Sequence, residues 1–192
     1  SAAINYGPAI SEAYYQKVPL LVITADRPVA WIDQGDGQTI RQNNLFSNYI
    51  RKSYQLPAST VDRESRWYFD RLVNEAVDHT RFPASGPVHL NLPLSEPLYE
   101  LNDIPEVTDL RIMEVARTVT LPEASLLEGL SGIWNASPKK MILAGQIPPG
   151  KEHDDLLRKV ADDPSVVVLT ETTSNLRGNG YIGCIDRVIE GL

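Results

Sequence analysis

The strongest constraint on this chain is the run over residues 19–42, where Pro19-Leu20-Leu21-Val22-Ile23-Thr24 gives way at once to polar residues. A short, continuous apolar run rich in branched side chains suits a parallel strand covered on both faces. An amphipathic helix would instead repeat its apolar positions every three or four residues. Residues 19–24 are therefore expected to be a buried strand leading into a loop that carries Asp26, Arg27, a Gly35-Asp36-Gly37 turn and Gln38. Ligands of open α/β sheets gather at the carboxyl ends of strands, so Arg27, three residues past the last apolar position, is where an anionic group is expected to dock. A plainer alternative stays open: an Asp26-Arg27 turn set by Pro28, with the two charges bridging neighbouring loops.

The flanking sequence repeats the same alternation. Pro8 suits the first turn of a helix, with Ile10, Ala13 and Tyr14 at helical spacing and Gln16-Lys17 closing it. Residues 38–46 read as a short helical turn and 54–56 as a short strand stopped by Pro57. The clearest helix spans 61–81, with Phe69, Leu72, Val73, Ala76 and Thr80 on one face and Arg63, Arg66, Asp70, Asn74 and Asp78 on a solvated one. Gly86-Pro87 introduces a strand over 88–92, ended by Pro93. Periodicity lapses over 94–110, where Pro97 and Pro105 sit among acidic residues. A second series follows: a strand or extended entry over 112–119, helices over 122–134 and 152–161, and strands over 141–144 and 166–169. The pattern is α/β, with parallel doubly wound sheets in two domains, residues 1–100 and 112–192, joined by a linker over 101–111.

An apolar content of 42% suffices for a core. No apolar run approaches the length of a membrane span. The net charge is −7, and residues 100–192 hold fifteen acidic and nine basic groups. With no basic stripe, nucleic acid is not an expected partner. Cys184 is the single cysteine, which fits a reducing, cytoplasmic setting, and with three scattered histidines it cannot complete a zinc site. The chain opens at Ser1 in a small apolar segment, as though cut from a longer protein.

Several other motifs read as structural. Gly35-Asp36-Gly37 with Asn43-Asn44 imitates a metal-diphosphate signature, but five intervening residues leave no room for the helix that lets its two halves converge on one magnesium ion. It is a turn. Residues 143–150 lack both the P-loop Lys and GxGxxG spacing and suit an ordinary strand-to-helix turn. His79 and His89 have no Ser, Cys or carboxylate at a telling spacing and read as structural.

Four phrases taken together resemble one family. They are Ile23-Thr24-Ala25-Asp26-Arg27-Pro28, Gly35-Asp36-Gly37-Gln38-Thr39-Ile40-Arg41-Gln42, Gly86-Pro87-Val88-His89-Leu90-Asn91-Leu92-Pro93, and Glu96-Pro97-Leu98-Tyr99. In this order they are similar to the MenD family, the thiamine diphosphate-dependent 2-succinyl-5-enolpyruvyl-6-hydroxy-3-cyclohexene-1-carboxylate synthases of menaquinone biosynthesis. The third phrase alone is shared by many thiamine diphosphate enzymes; the others are more specific. Beyond residue 100 or so the likeness is one of layout.

The resemblance implies that 2-oxoglutarate loses carbon dioxide and its remaining succinyl unit adds to isochorismate, with thiamine diphosphate and Mg2+ as cofactors. Residues 1–100 would be the later part of a pyrimidine-binding domain and 112–192 part of a central Rossmann-like domain. Arg27 matches the family's substrate-binding Arg and Gln38 its active-site Gln. Asp26 and Arg41 are expected to shape the loop, and Gly37 removes a side chain that some members place there. The cofactor-activating Glu would lie before Ser1 and the magnesium-diphosphate motif after Leu192. The chain by itself is therefore expected to be inactive and to bind the cofactor weakly or not at all, while the full-length family forms homodimers or homotetramers. Two other readings remain open: a different thiamine diphosphate enzyme such as an acetolactate-synthase-like protein, and a non-catalytic α/β module binding a small anionic metabolite.

Overall fold

Parallel pairing of Leu20–Asp26 (β1) with Pro87–Pro93 (β3) organises the first half of the chain, and Lys52–Gln55 (β2) pairs in parallel with the other side of β3. The computed structural model describes residues 2–95, 111–116, 118 and 120–190. It divides into two units, Ser1–Ala116 and Arg117–Leu192.

In the first unit the sheet order is β1-β3-β2, with a helix, Arg63–His79 (α2), between β2 and β3. Alternation along each strand sends side chains to opposite faces. On one face Tyr54, Val88 and Leu90 pack against Leu72 and Ala76 of α2, with Phe69 and Val73 partly buried beside them. This is the apolar face expected of α2, and burying a large side chain such as Leu72 there contributes about 1.5–3 kcal/mol. The helix starts where Asp62 accepts the backbone N–H of Ser65. Its opposite face is less solvated than the charges suggest. Asn74 is half-buried, donating to the carbonyl of Arg111 at 3.0 Å and accepting the N–H of Met113 at 2.8 Å.

The other face of the sheet is covered by Gly7–Tyr15 (α1), which has Pro8 in its first turn, and by residues 46–50. Ile10, Val22, Phe46 and Ile50 form that cluster. Helical cover on both faces is the doubly wound arrangement expected. Two local expectations are corrected. Residues 38–46 form no helix, because Gln38 and Asn44 take left-handed backbone conformations that interrupt one; turns cover 43–46 and a 3-10 turn follows at Ser47–Tyr49. The strand expected at 54–56 is shifted to Lys52–Gln55, where the ladder with β3 decides its bounds.

The second unit contains Ala124–Ala136 (α3), Lys140–Ala144 (β4), Lys151–Ala161 (α4), Val166–Thr170 (β5), Tyr181–Ile182 (β6) and Ile185–Glu190 (α5). Its sheet, β4-β5-β6, is parallel throughout. Val166, Val168 and Thr170 are buried, while Met141, Leu143 and Val167 on the opposite side are exposed. No strand forms among the described residues of 112–119. Most of the expected linker lies outside the described residues.

Candidate functional site

Because β1 and β3 are parallel, their carboxyl ends lie together, and there the chain forms a cleft of about 340 Å³. Arg27 and Gln38 both line it, with Asp26, Thr39, Gln42 and the backbone of Gly37 among their neighbours. Eleven positions apart in sequence, these two residues are brought to one cleft by the loop that leaves β1. Arg27 Nε pairs with Asp36 Oδ2 at 3.0 Å, and Thr39 Oγ1 donates to the same oxygen at 3.2 Å. The Gly35-Asp36-Gly37 turn thus brings a carboxylate to Arg27, which gives substance to the plainer, loop-bridging reading without removing Arg27 from the cleft. Gln38 has φ +62°, a left-handed conformation uncommon outside glycine, and such strain clusters at functional positions. A side chain at Gly37 would meet no atom within 4 Å, so this position leaves room at the cleft.

Under the cleft lies a buried polar network that sequence reasoning did not anticipate. Asn91, fully buried, donates through Nδ2 to Asp26 Oδ2 at 2.7 Å and to Gln55 Oε1 at 2.9 Å. Its Oδ1 therefore faces Thr24, whose hydroxyl must donate to it at 2.9 Å. With its one proton committed, the Thr24 hydroxyl, 2.7 Å from His89 Nε2, can only accept there, so His89 carries its proton on Nε2. The Nδ1 atom of His89 is left to accept from Ser53 Oγ at 3.4 Å. Burial holds the His89 pKa below its ordinary value, outweighing the opposing pull of Asp26. The ring is neutral and fully engaged, in keeping with a structural role.

Asp26 Oδ1 accepts the N–H of Arg27 at 2.8 Å and the Gln42 amide at 3.2 Å. Asp26 thus shapes the loop, as expected. Arg41, expected to do likewise, forms an exposed pair with Asp33 at 2.7 Å. His79 also has structural partners: Nδ1 lies 2.8 Å from both the Tyr54 hydroxyl and the carbonyl of Glu75. One signal could have revealed the network. Thr24 and Asp26, and His89 and Asn91, are polar pairs two residues apart within otherwise apolar strands, which puts each pair on one face.

The second unit has a hollow of about 400 Å³ at the carboxyl end of β5, lined by Thr170, Glu171, Thr172, Thr173, Cys184 and Ile185. It offers hydroxyls and a carboxylate but no cation, which does not match an acidic ligand. Residues 143–150 run from β4 into α4 as a strand-to-helix turn. Among the described residues no three His, Cys, Asp or Glu side chains group as metal ligands, and none of the helices is long and apolar enough to cross a membrane.

No family model matches the chain. Individual proteins do. It is 42% identical, over 98% of its length, to the 2-succinyl-5-enolpyruvyl-6-hydroxy-3-cyclohexene-1-carboxylate synthase of Flavobacterium johnsoniae, covering 33% of that protein. Against the synthase of the same name from Christiangramia forsetii the identity is 39%, with 98% of the chain and 35% of the relative covered. Against that of Porphyromonas gingivalis the values are 36%, 98% and 33%. The chain thus spans about a third of the length of these curated relatives. The likeness seen in four phrases of the first half extends across nearly the whole chain, and the chain is homologous to one part of these synthases.

Proposed function

We propose that this homologue of the 2-succinyl-5-enolpyruvyl-6-hydroxy-3-cyclohexene-1-carboxylate synthases is the substrate-carboxylate-binding part of such an enzyme, acting in the cytoplasm in menaquinone biosynthesis. The whole enzyme decarboxylates 2-oxoglutarate and joins the succinyl unit to isochorismate, releasing carbon dioxide. The observation that carries this reading is the meeting of Arg27 and Gln38 in one cleft at the end of β1. Arg27 brings a permanent charge and five N–H donors, of which Nε serves Asp36, and Gln38 adds an amide. Both substrates are dicarboxylates, for which a cation and a neutral donor on one wall are the suitable chemistry.

The first unit corresponds in this reading to the later part of a pyrimidine-binding domain and the second to part of the central domain, in a homodimer or homotetramer. The relatives' family uses thiamine diphosphate and magnesium, but the residues described here do not fit a metal-diphosphate site: Asp36, the one acid in the glycine turn, is held by Arg27 and Thr39. This chain's contribution is to bind and orient substrate, and alone it is inactive. The test is the 2-oxoglutarate KM of the intact gene product. Arg27→Ala should raise it about tenfold or more, with Arg27→Lys intermediate because an ammonium keeps charge but loses the planar fork. An unchanged KM in both variants would sink the assignment, and steady turnover by the 192-residue chain alone would sink the claim of inactivity.

A further inference from the structure

The loop that follows Asp26 carries both Arg27 and Gln38, and its attachment is uncommon. Between Asp26 and Phe46 one residue is buried, Gln42, at 5% exposure. A long surface loop is more simply tacked down by an apolar side chain, which needs no partner. Leu45 packs partly buried at the far end of the loop, but close to Gln38 the tack is an amide. Gln42 Nε2 donates to the carbonyl of Ala25 at 2.9 Å and to Asp26 Oδ1 at 3.2 Å. The same Asp26 oxygen accepts the backbone N–H of Arg27 at 2.8 Å. One carboxylate oxygen therefore joins the residue from which Arg27 springs to the end of the segment that begins at Gln38. Gln42 Oε1 is buried with no hydrogen-bond partner among the described residues, a destabilising feature that an apolar residue would avoid.

We infer that Gln42 is a positioning residue of the cleft: by holding the 38–42 segment against the end of β1 it sets the spacing of Gln38 and Arg27, so that both meet one carboxylate of the substrate. This rests on the carboxylate-binding reading of Arg27 and Gln38. Gln42 itself acts through the loop. Its effect is on recognition, because a displacement of about 1 Å in one of two converging groups is enough to weaken a shared contact.

The test uses the intact gene product supplied with thiamine diphosphate and magnesium, and measures 2-oxoglutarate KM, kcat and thermal midpoint. Gln42→Met keeps the volume and loses the donors; Gln42→Asn keeps the amide but is one methylene too short. Both should raise KM about tenfold with kcat changed less than about twofold. Phe46→Leu, at the buried apolar end of the loop, should lower the thermal midpoint and leave KM unchanged. The inference is overturned if both Gln42 variants keep the wild-type KM while Arg27→Ala raises it, or if both fail to fold, which would make Gln42 a residue of the fold. If Arg27→Ala leaves KM unchanged, the carboxylate site itself falls and this inference falls with it.

Discussion

Asn91 lies beside Thr24 in the β1–β3 ladder, yet its Nδ2 atom reaches two residues further along to Asp26 Oδ2 at 2.7 Å. One amide thereby joins β3 to the last residue of β1 while its oxygen orders Thr24. Exchanging the two side chains tests the arrangement. Asp26→Asn or Asn91→Asp alone sets donor against donor or acceptor against acceptor in a buried place, costing about 2–4 kcal/mol. The double exchange restores the 26–91 donor–acceptor pair and, with the Gln55 amide turned to present its Nε2 to position 91, should recover part of that loss in urea denaturation. Losses that simply add would show that the pair is not coupled.

His89 should make stability depend on pH. Its folded-state pKa is depressed by burial, so between that value and about 6.5 the unfolded chain binds the extra proton. The His89 contribution is therefore present above about pH 6.5 and is lost as pH falls through the window. Urea midpoints at pH 7.5 and 5.5 should show the drop in the wild type and a smaller one in His89→Gln.

At Gln38 stability and recognition should separate. Glycine accepts φ +62° without a Cβ clash, so Gln38→Gly should stabilise the fold by up to about 1 kcal/mol while weakening 2-oxoglutarate binding. Thermal denaturation and KM measured on the same variant check both halves. A destabilised variant would place Gln38 among the packing residues.

Ile23 and Leu90 are register partners on one face of the sheet, but Leu90 is 2% exposed and Ile23 58%. Leu90→Ala should cost about 2–5 kcal/mol, whereas Ile23→Ala should cost less than about 1 kcal/mol. Equal losses would mean that the face around Ile23 is covered in solution.

The strands and long helices were legible in the sequence because their signals are local. An unbroken apolar run over 19–24 and a helical stripe from Phe69 to Thr80 determine which backbone satisfies its own hydrogen bonds and which side faces a core. The family phrases placed Arg27 and Gln38 as site residues by likeness. Tertiary structure decided what the polar residues do. That Asn91 binds Asp26 and Gln55, that His89 is protonated on Nε2, and that Gln42 is the one buried residue between Asp26 and Phe46 depend on three parallel strands lying side by side. Such contacts join positions as far as 67 residues apart, as Thr24 and Asn91 are, and their donors and acceptors can be matched only once the chain has brought them within 3 Å. Residues 38–46 differed from the helical expectation for the same reason. Left-handed positions at Gln38 and Asn44 interrupt a helix there, and the segment is held by the Gln42–Asp26 pairing and by Leu45 and Phe46 against the core, contacts visible only in the fold.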